Sequence, residues 1–130
     1  MQLVTYCFGI LIFIGCVSCE ELLEVSDIST QEVFLLAPTN NRVLDKKSVN
    51  FIWEEVADAE SYRIQVAYPS FLEASQFSLD TLVVKDSAYT RPFVTKNLEN
   101  NSYEWRVKAL NSDFETTYKT QAFTVETLEN

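Results

Sequence analysis

From residue 48 onward, apolar side chains recur at every second position, and that period restricts the chain to extended structure. Val49, Phe51 and Trp53 alternate with Ser48, Asn50 and Ile52. Tyr62, Ile64, Val66 and Tyr68 alternate with Arg63, Gln65 and Ala67. Tyr103, Trp105, Val107 and Ala109 alternate with Glu104, Arg106 and Lys108, and Phe123 and Val125 with Ala122, Thr124 and Glu126. In a strand successive side chains point to opposite faces, so each segment presents one apolar face to a core. Weaker segments at 33–37, 81–85 and 88–94 bring the expected number of strands to seven. The sequence thus predicts an all-β fold, a seven-stranded antiparallel immunoglobulin-like sandwich of two sheets. Nine Phe, six Tyr and two Trp supply the bulk that such an interior needs.

The bends have to be made without glycine. Both glycines, Gly9 and Gly15, fall in the apolar N-terminal run. Asn40-Asn41, Asn100-Asn101 and Asn111-Ser112-Asp113 stand between the periodic segments. Asn and Asp accept left-handed backbone more readily than other residues that carry a side chain. Pro38 and Pro92 are expected at strand ends or edges, where no N–H is needed.

The same absences exclude chemistry. Phosphate-cradling loops need glycine so that backbone N–H groups can approach the ligand, so P-loop and dinucleotide-binding folds are ruled out. No His is present, which removes the usual Ser–His and Cys–His nucleophile pairs and the common zinc sites. The reading has no catalytic residue, cofactor or metal site. The net charge of −9 argues against nucleic acid as a partner.

Residues 6–17 are almost wholly apolar, too short a run to cross a bilayer core of roughly 30 Å. They read as the hydrophobic region of a secretory signal peptide over residues 1–18. The run ends in Cys16-Val17-Ser18-Cys19-Glu20, which resembles the lipobox of bacterial lipoproteins. That resemblance implies cleavage before Cys19 and lipidation of its thiol and amine. Cys19 would then be the only cysteine retained, with no partner for an internal disulfide. Tri-acylation at about 0.8 kcal/mol per buried methylene would give stable membrane residence. Between residues 20 and 32 stand Glu20, Glu21, Glu24, Asp27 and Glu32 with no base. The segment 19–32 reads as a solvated acidic tether, or as a short acidic helix over Leu22, Leu23 and Val25. An acidic run after the anchor Cys also resembles the surface-export signal of Bacteroidetes lipoproteins. The resemblance places the chain on the outer membrane, on its periplasmic or cell-surface side.

A second resemblance covers residues 33–127. Leu36-Ala37-Pro38-Thr39-Asn40, Phe51-Ile52-Trp53 with Val56 and Ala59, and Tyr62-Arg63-Ile64-Gln65-Val66 carry it. Leu98, Tyr103-Glu104-Trp105-Arg106-Val107-Lys108-Ala109 and Phe123-Thr124-Val125 complete it. Together they resemble the fibronectin type III domain, especially its forms in Bacteroidetes surface proteins. The resemblance implies that Trp53 is the core tryptophan of the second strand. It also implies that Tyr103 is the tyrosine of the corner between the fifth and sixth strands, its hydroxyl bonding back to nearby backbone. Trp53, Tyr62, Tyr103 and Trp105 are the expected core markers.

Several groups of residues are candidates for a role beyond folding. Tyr68, Phe71, Leu72 and Phe77 make a ring-rich loop. It reads as a lip contacting sugar or protein, or as a cap on one end of the sandwich. Arg63, Arg106 and Lys108, with Gln65 and Glu104, should share the solvent face of one sheet. That face could dock a partner, or its cross-strand charges could merely support the sheet. Glu54, Glu55, Asp58 and Glu60 crowd one loop. Paired carboxylates can do acid–base work or hold calcium, although without glycine this loop reads as solvated. Asp80-Thr81-Leu82 and Asp86-Ser87-Ala88 resemble acceptors for O-glycans in exported Bacteroidetes proteins, at Thr81 and Ser87.

The functional expectation is a non-enzymatic, lipid-anchored binding or spacer module meeting a glycan or a protein. The alternatives are a structural subunit of a surface assembly or adhesin and, further off, a small carboxylate-dependent glycosidase.

Overall fold

The computed structural model describes residues 24–86 and 91–128. The expected signal peptide, Cys19 and Ser87 lie outside the described residues.

Eight strands form two sheets, and no helix occurs among the described residues. They are β1 (Leu35–Ala37), β2 (Arg42–Leu44), β3 (Ser48–Trp53), β4 (Ser61–Ala67), β5 (Leu79–Val84), β6 (Phe93–Asn97), β7 (Asn101–Leu110) and β8 (Lys119–Val125). The smaller sheet has the order β1-β3-β6, and the larger the order β2-β8-β7-β4-β5. The chain changes sheets between β1 and β2, β2 and β3, β3 and β4, β5 and β6, and β6 and β7, an interleaving of the kind seen in Greek-key sandwiches.

The two inner faces close over one aromatic core. Val49, Phe51 and Trp53 of β3 oppose Tyr62, Ile64 and Val66 of β4, Tyr103, Trp105, Val107 and Ala109 of β7, and Phe123 and Val125 of β8, all buried. The Phe51 ring lies 5.1 Å from that of Trp105 and 5.6 Å from that of Phe123, and Tyr103 stacks on Phe123 at 5.3 Å. Trp53 meets Tyr62 edge-on at 5.6 Å. Tilted and edge-to-face pairs put the positive ring edge against a negative face, which adds to the gain from burial. The Trp105 indole N–H donates to the Pro38 carbonyl at 3.2 Å. The Trp53 indole nitrogen is buried without a hydrogen-bond partner.

Two hydroxyls tie core to loop. Tyr103 Oη donates to the Glu99 carbonyl at 2.6 Å, so the tyrosine does bond back to backbone just upstream. Tyr62 Oη accepts the Val56 N–H at 2.9 Å.

Four expectations need correction. The strand count is eight rather than seven. The added strand, β2, is three residues long, too short to show a period, and it pairs with β8 in parallel, so the sandwich is not wholly antiparallel. The strand expected at 88–94 runs instead from Phe93 to Asn97, because its pairing with β3 joins Ser48 to Asn97 and Ile52 to Phe93. Asn101 opens β7 rather than completing a bend. The acidic segment 19–32 is not solvated to its end: Ile28 is wholly buried in the core and Asn111 Nδ2 donates to the Ser26 carbonyl at 2.8 Å. A single large apolar side chain can outweigh the charges beside it when the carboxylates stay in water.

The glycine-free bends use two devices. Asn41 and Asp58 adopt left-handed backbone, with φ of 63° and 64°. Asn111 and Asn100 act through their side chains instead. Asn111 Oδ1 accepts from the N–H groups of Asp113 and Phe114 at 3.1 and 2.8 Å, and Asn100 Oδ1 accepts the Thr127 N–H at 3.0 Å. Such local bonds satisfy the backbone where the ladder stops.

Candidate interaction face on the larger sheet

The registers of β4, β5, β7 and β8 decide which polar side chains meet. Arg63 lies opposite Lys108, and Gln65 lies opposite both Arg106 and Asp80. Arg106 lies opposite Thr120 on its other side. Directly opposed residues share a face, so these side chains all stand on the outer surface of the larger sheet.

Arg106 is the centre of this surface. Its Nε donates to Gln65 Oε1 at 2.8 Å. Gln65 Nε2 donates in turn to Asp80 Oδ1 at 3.2 Å, and Arg63 pairs with the same oxygen at 2.9 Å. The hydrogen bond from Arg63 holds the Asp80 carboxyl below the usual carboxylate range, and Asp80 raises Arg63 in return. The Arg106 guanidinium carbon lies 4.0 Å from the Phe71 ring centroid, 4.4 Å from that of Tyr118 and 5.7 Å from that of Phe77. Each such contact is worth about 0.5–1 kcal/mol at an exposed site and ~2 when desolvated. Lys108 Nζ sits 4.9 Å from the Tyr118 ring and bonds Glu115 at 3.1 Å.

The ring-rich loop is docked on this face by its backbone. Phe71 N–H donates to Glu104 Oε1 at 2.9 Å, and Phe71 and Phe77 meet edge-on at 5.5 Å. The loop is therefore neither wholly a cap nor wholly a lip. Phe71 is half-buried over the sheet, whereas Phe77 is 38% and Leu72 94% exposed. Tyr68 does not join them: its ring lies 6.0 Å from Tyr103, at one end of the sandwich.

Of the residues expected to form a binding surface, the structure gathers Arg63, Arg106, Lys108, Phe71 and Phe77, with Leu72 beside them. Asp80 and Tyr118 belong to the same cluster, although neither was expected on this face from the sequence. Tyr118 lies just before β8, and only the β7–β8 register carries it to Arg106. Thr81 sits in the middle of β5 on the half-buried side, opposite Ile64. The core markers Trp53, Tyr62, Tyr103 and Trp105 are all buried.

The acidic loop between β3 and β4 does not converge on a site. Glu55 pairs with Lys85, and among the described residues no group of three or more Cys, Asp or Glu could hold a metal ion. Glu55 and Asp86 line a cleft of ≈ 210 Å³ together with Tyr62, Val83, Val84 and Phe93. The Asp27 carboxyl is held below its ordinary value by hydrogen bonds from the Ser29 hydroxyl and N–H.

No protein-family model matches the chain, and no curated protein does either. Solved structures similar to it include FN3tt, at 16% identity over 72% of this chain and 95% of that one, with a TM-score of 0.46. A fibronectin type III domain from a human protein is 11% identical over 75% of each chain, with a TM-score of 0.49. A Fn3-like protein from Clostridium thermocellum is 19% identical over 69% of this chain and 91% of that one, with a TM-score of 0.42.

Proposed function

We propose that this all-β sandwich is a non-enzymatic binding module of the cell envelope, held there by lipid on Cys19, and that it meets its partner with the outer face of the larger sheet. The observation that carries this reading is the placement of Arg106 between Phe71 and Tyr118, with exposed Leu72 and Phe77 alongside. Aromatic and arginine side chains concentrate binding energy at interfaces, because they bury much area and lose little conformational freedom. The outer membrane, on its periplasmic or cell-surface side, is the proposed location, supported by the apolar run at 6–17 and the lipobox-like residues that follow it.

The test is chemical cross-linking in intact envelopes with the full chain carrying a photoreactive residue. Placed at Leu72 or Thr120, the probe should join the chain to one recurrent partner. Placed at Asn50, on the outer face of the smaller sheet, it should not. Equal yields from both faces, or none from either, would end this reading.

A second reading, a structural subunit of a surface assembly, draws on the β5 edge. β5 lies at the margin of the larger sheet and carries Leu82 and Val84 at 51% and 68% exposure. Its interior has no Lys, no Pro and no bulge to discourage pairing with another strand. Filaments or ladders of cross-linked copies from a probe at Leu82 would favour it.

A further inference from the structure

Arg106 differs from the cations around it. Arg63, Lys108 and Lys119 each have a carboxylate partner, at 2.9, 3.1 and 2.9 Å, and Lys85 has Glu55. Among the described residues Arg106 makes no such ion pair, and its charge reaches Asp80 only at longer range, with Gln65 between them. Its Nε is held by Gln65, which is only 7% exposed, and its guanidinium carbon lies over the Phe71 and Tyr118 rings at 4.0 and 4.4 Å. What remains unoccupied is the Nη edge, the side of the fork that takes a carboxylate by two parallel N–H···O bonds. A guanidinium already fixed in plane and orientation loses little freedom when it binds, so the arrangement is preorganised for one anionic group.

The surroundings decide what kind of molecule brings that group. On this face Arg63, Arg106 and Lys108 are balanced by Asp80, Glu104 and Glu115, and the chain as a whole carries −9. A polyanion such as an acidic polysaccharide would gain one contact and meet repulsion everywhere else. Stacking of sugar rings needs open aromatic faces, but the Phe71 and Tyr118 rings are turned to the guanidinium. The apolar surface that is left, Leu72 and the exposed part of Phe77, suits aliphatic and aromatic side chains.

We propose that Arg106 is the receptor for a single Asp or Glu carboxylate of a protein partner, with apolar residues beside that carboxylate settling on Leu72 and Phe77. This rests on the outer face being the binding surface.

The experiment follows the Arg106 Nε–Hε signal of the ¹⁵N-labelled full chain in detergent micelles by NMR. The probes are the capped tripeptide Leu-Glu-Phe, its Leu-Gln-Phe twin and an oligogalacturonate. The glutamate peptide should shift the signal saturably and bind about fivefold or more tightly than the glutamine twin. In Arg106→Gln that preference should vanish, and in Arg106→Lys it should fall, since the charge stays but the fork is lost. Unchanged core signals, the Trp105 indole among them, would show that both variants fold. Equal binding of the two peptides, no binding of either at millimolar concentration, or a preference that survives in Arg106→Gln overturns the proposal. Tighter binding of the oligogalacturonate overturns it in favour of a glycan. Undiminished cross-linking of the same envelope partner by Arg106→Gln would overturn it while leaving the binding reading intact.

Discussion

The Tyr62 hydroxyl accepts the backbone N–H of Val56 at 2.9 Å, joining the middle of the core to the loop that enters its own strand. Both groups are buried, so neither has water as a substitute. Tyr62→Phe strands the Val56 donor and should cost about 1–3 kcal/mol in chemical denaturation. The hydroxyl is pushed above its ordinary value of 10.0, chiefly by burial. A group whose folded pKa is raised contributes stability that is complete below the unfolded value and lost as pH rises toward the folded one. Wild type should therefore lose stability above about pH 10, and Tyr62→Phe should lose less over the same range, as read from denaturation midpoints.

Trp53 and Trp105 should respond unequally to the same substitution. Trp105→Phe leaves the Pro38 carbonyl without its indole donor, whereas Trp53→Phe removes a donor that had no partner. Both lose packing, but the first adds an unsatisfied buried carbonyl worth about 1–3 kcal/mol. Thermal unfolding of the two variants should rank Trp105→Phe as the less stable by that order.

Ile28 tests where the folded unit begins. It is wholly buried, in a segment whose charges suggest a free tether. Ile28→Ala should destabilise the sandwich by about 2–5 kcal/mol, as for other large-to-small core changes. A variant trimmed to begin at residue 32 should unfold at lower denaturant than one beginning at residue 24. Equal midpoints would show that Ile28 contributes nothing.

Asp80 should matter at neutral pH and cease to matter in acid. Its carboxyl lies below the ordinary value of 3.8, first because Arg63 donates a hydrogen bond to it. A lowered folded pKa gives stability present above the unfolded value and lost as pH falls through the folded one. The side chain is 35% exposed, so the contribution is small, about 1 kcal/mol or less after solvent screening. Asp80→Asn should thus be slightly less stable than wild type at pH 7 and converge with it below about pH 3.

Cys19→Ala tests the anchor. The variant should pass from the membrane to the soluble fraction on cell breakage, and palmitate labelling should disappear. Continued sedimentation with membranes would point to attachment by another route.

The alternation of β3, β4, β7 and β8 was plain in the sequence because each has one face in water and one in the core, and a period of two records that difference. β2 was not legible, since three residues define no period and its parallel pairing with β8 depends on the path of the whole chain. β6 was displaced because its second half, Thr95-Lys96-Asn97, is polar and is held in the sheet only by pairing with Ser48, Val49 and Asn50. Its register is fixed by β3, not by any local preference. Ile28 was hidden among acids for a related reason: composition averages over a segment, while burial acts on one side chain.

By itself the sequence determined an all-β interior built on Trp53, Tyr62, Tyr103 and Trp105, and bends made by Asn and Asp in place of glycine. These follow from local rules, because strand period and turn chemistry need no knowledge of distant residues. Only the tertiary structure decided that Arg106 meets Phe71, Gln65 and Tyr118, which come from three different places along the chain. Strand register brings them together, and register is a property of the assembled sheet.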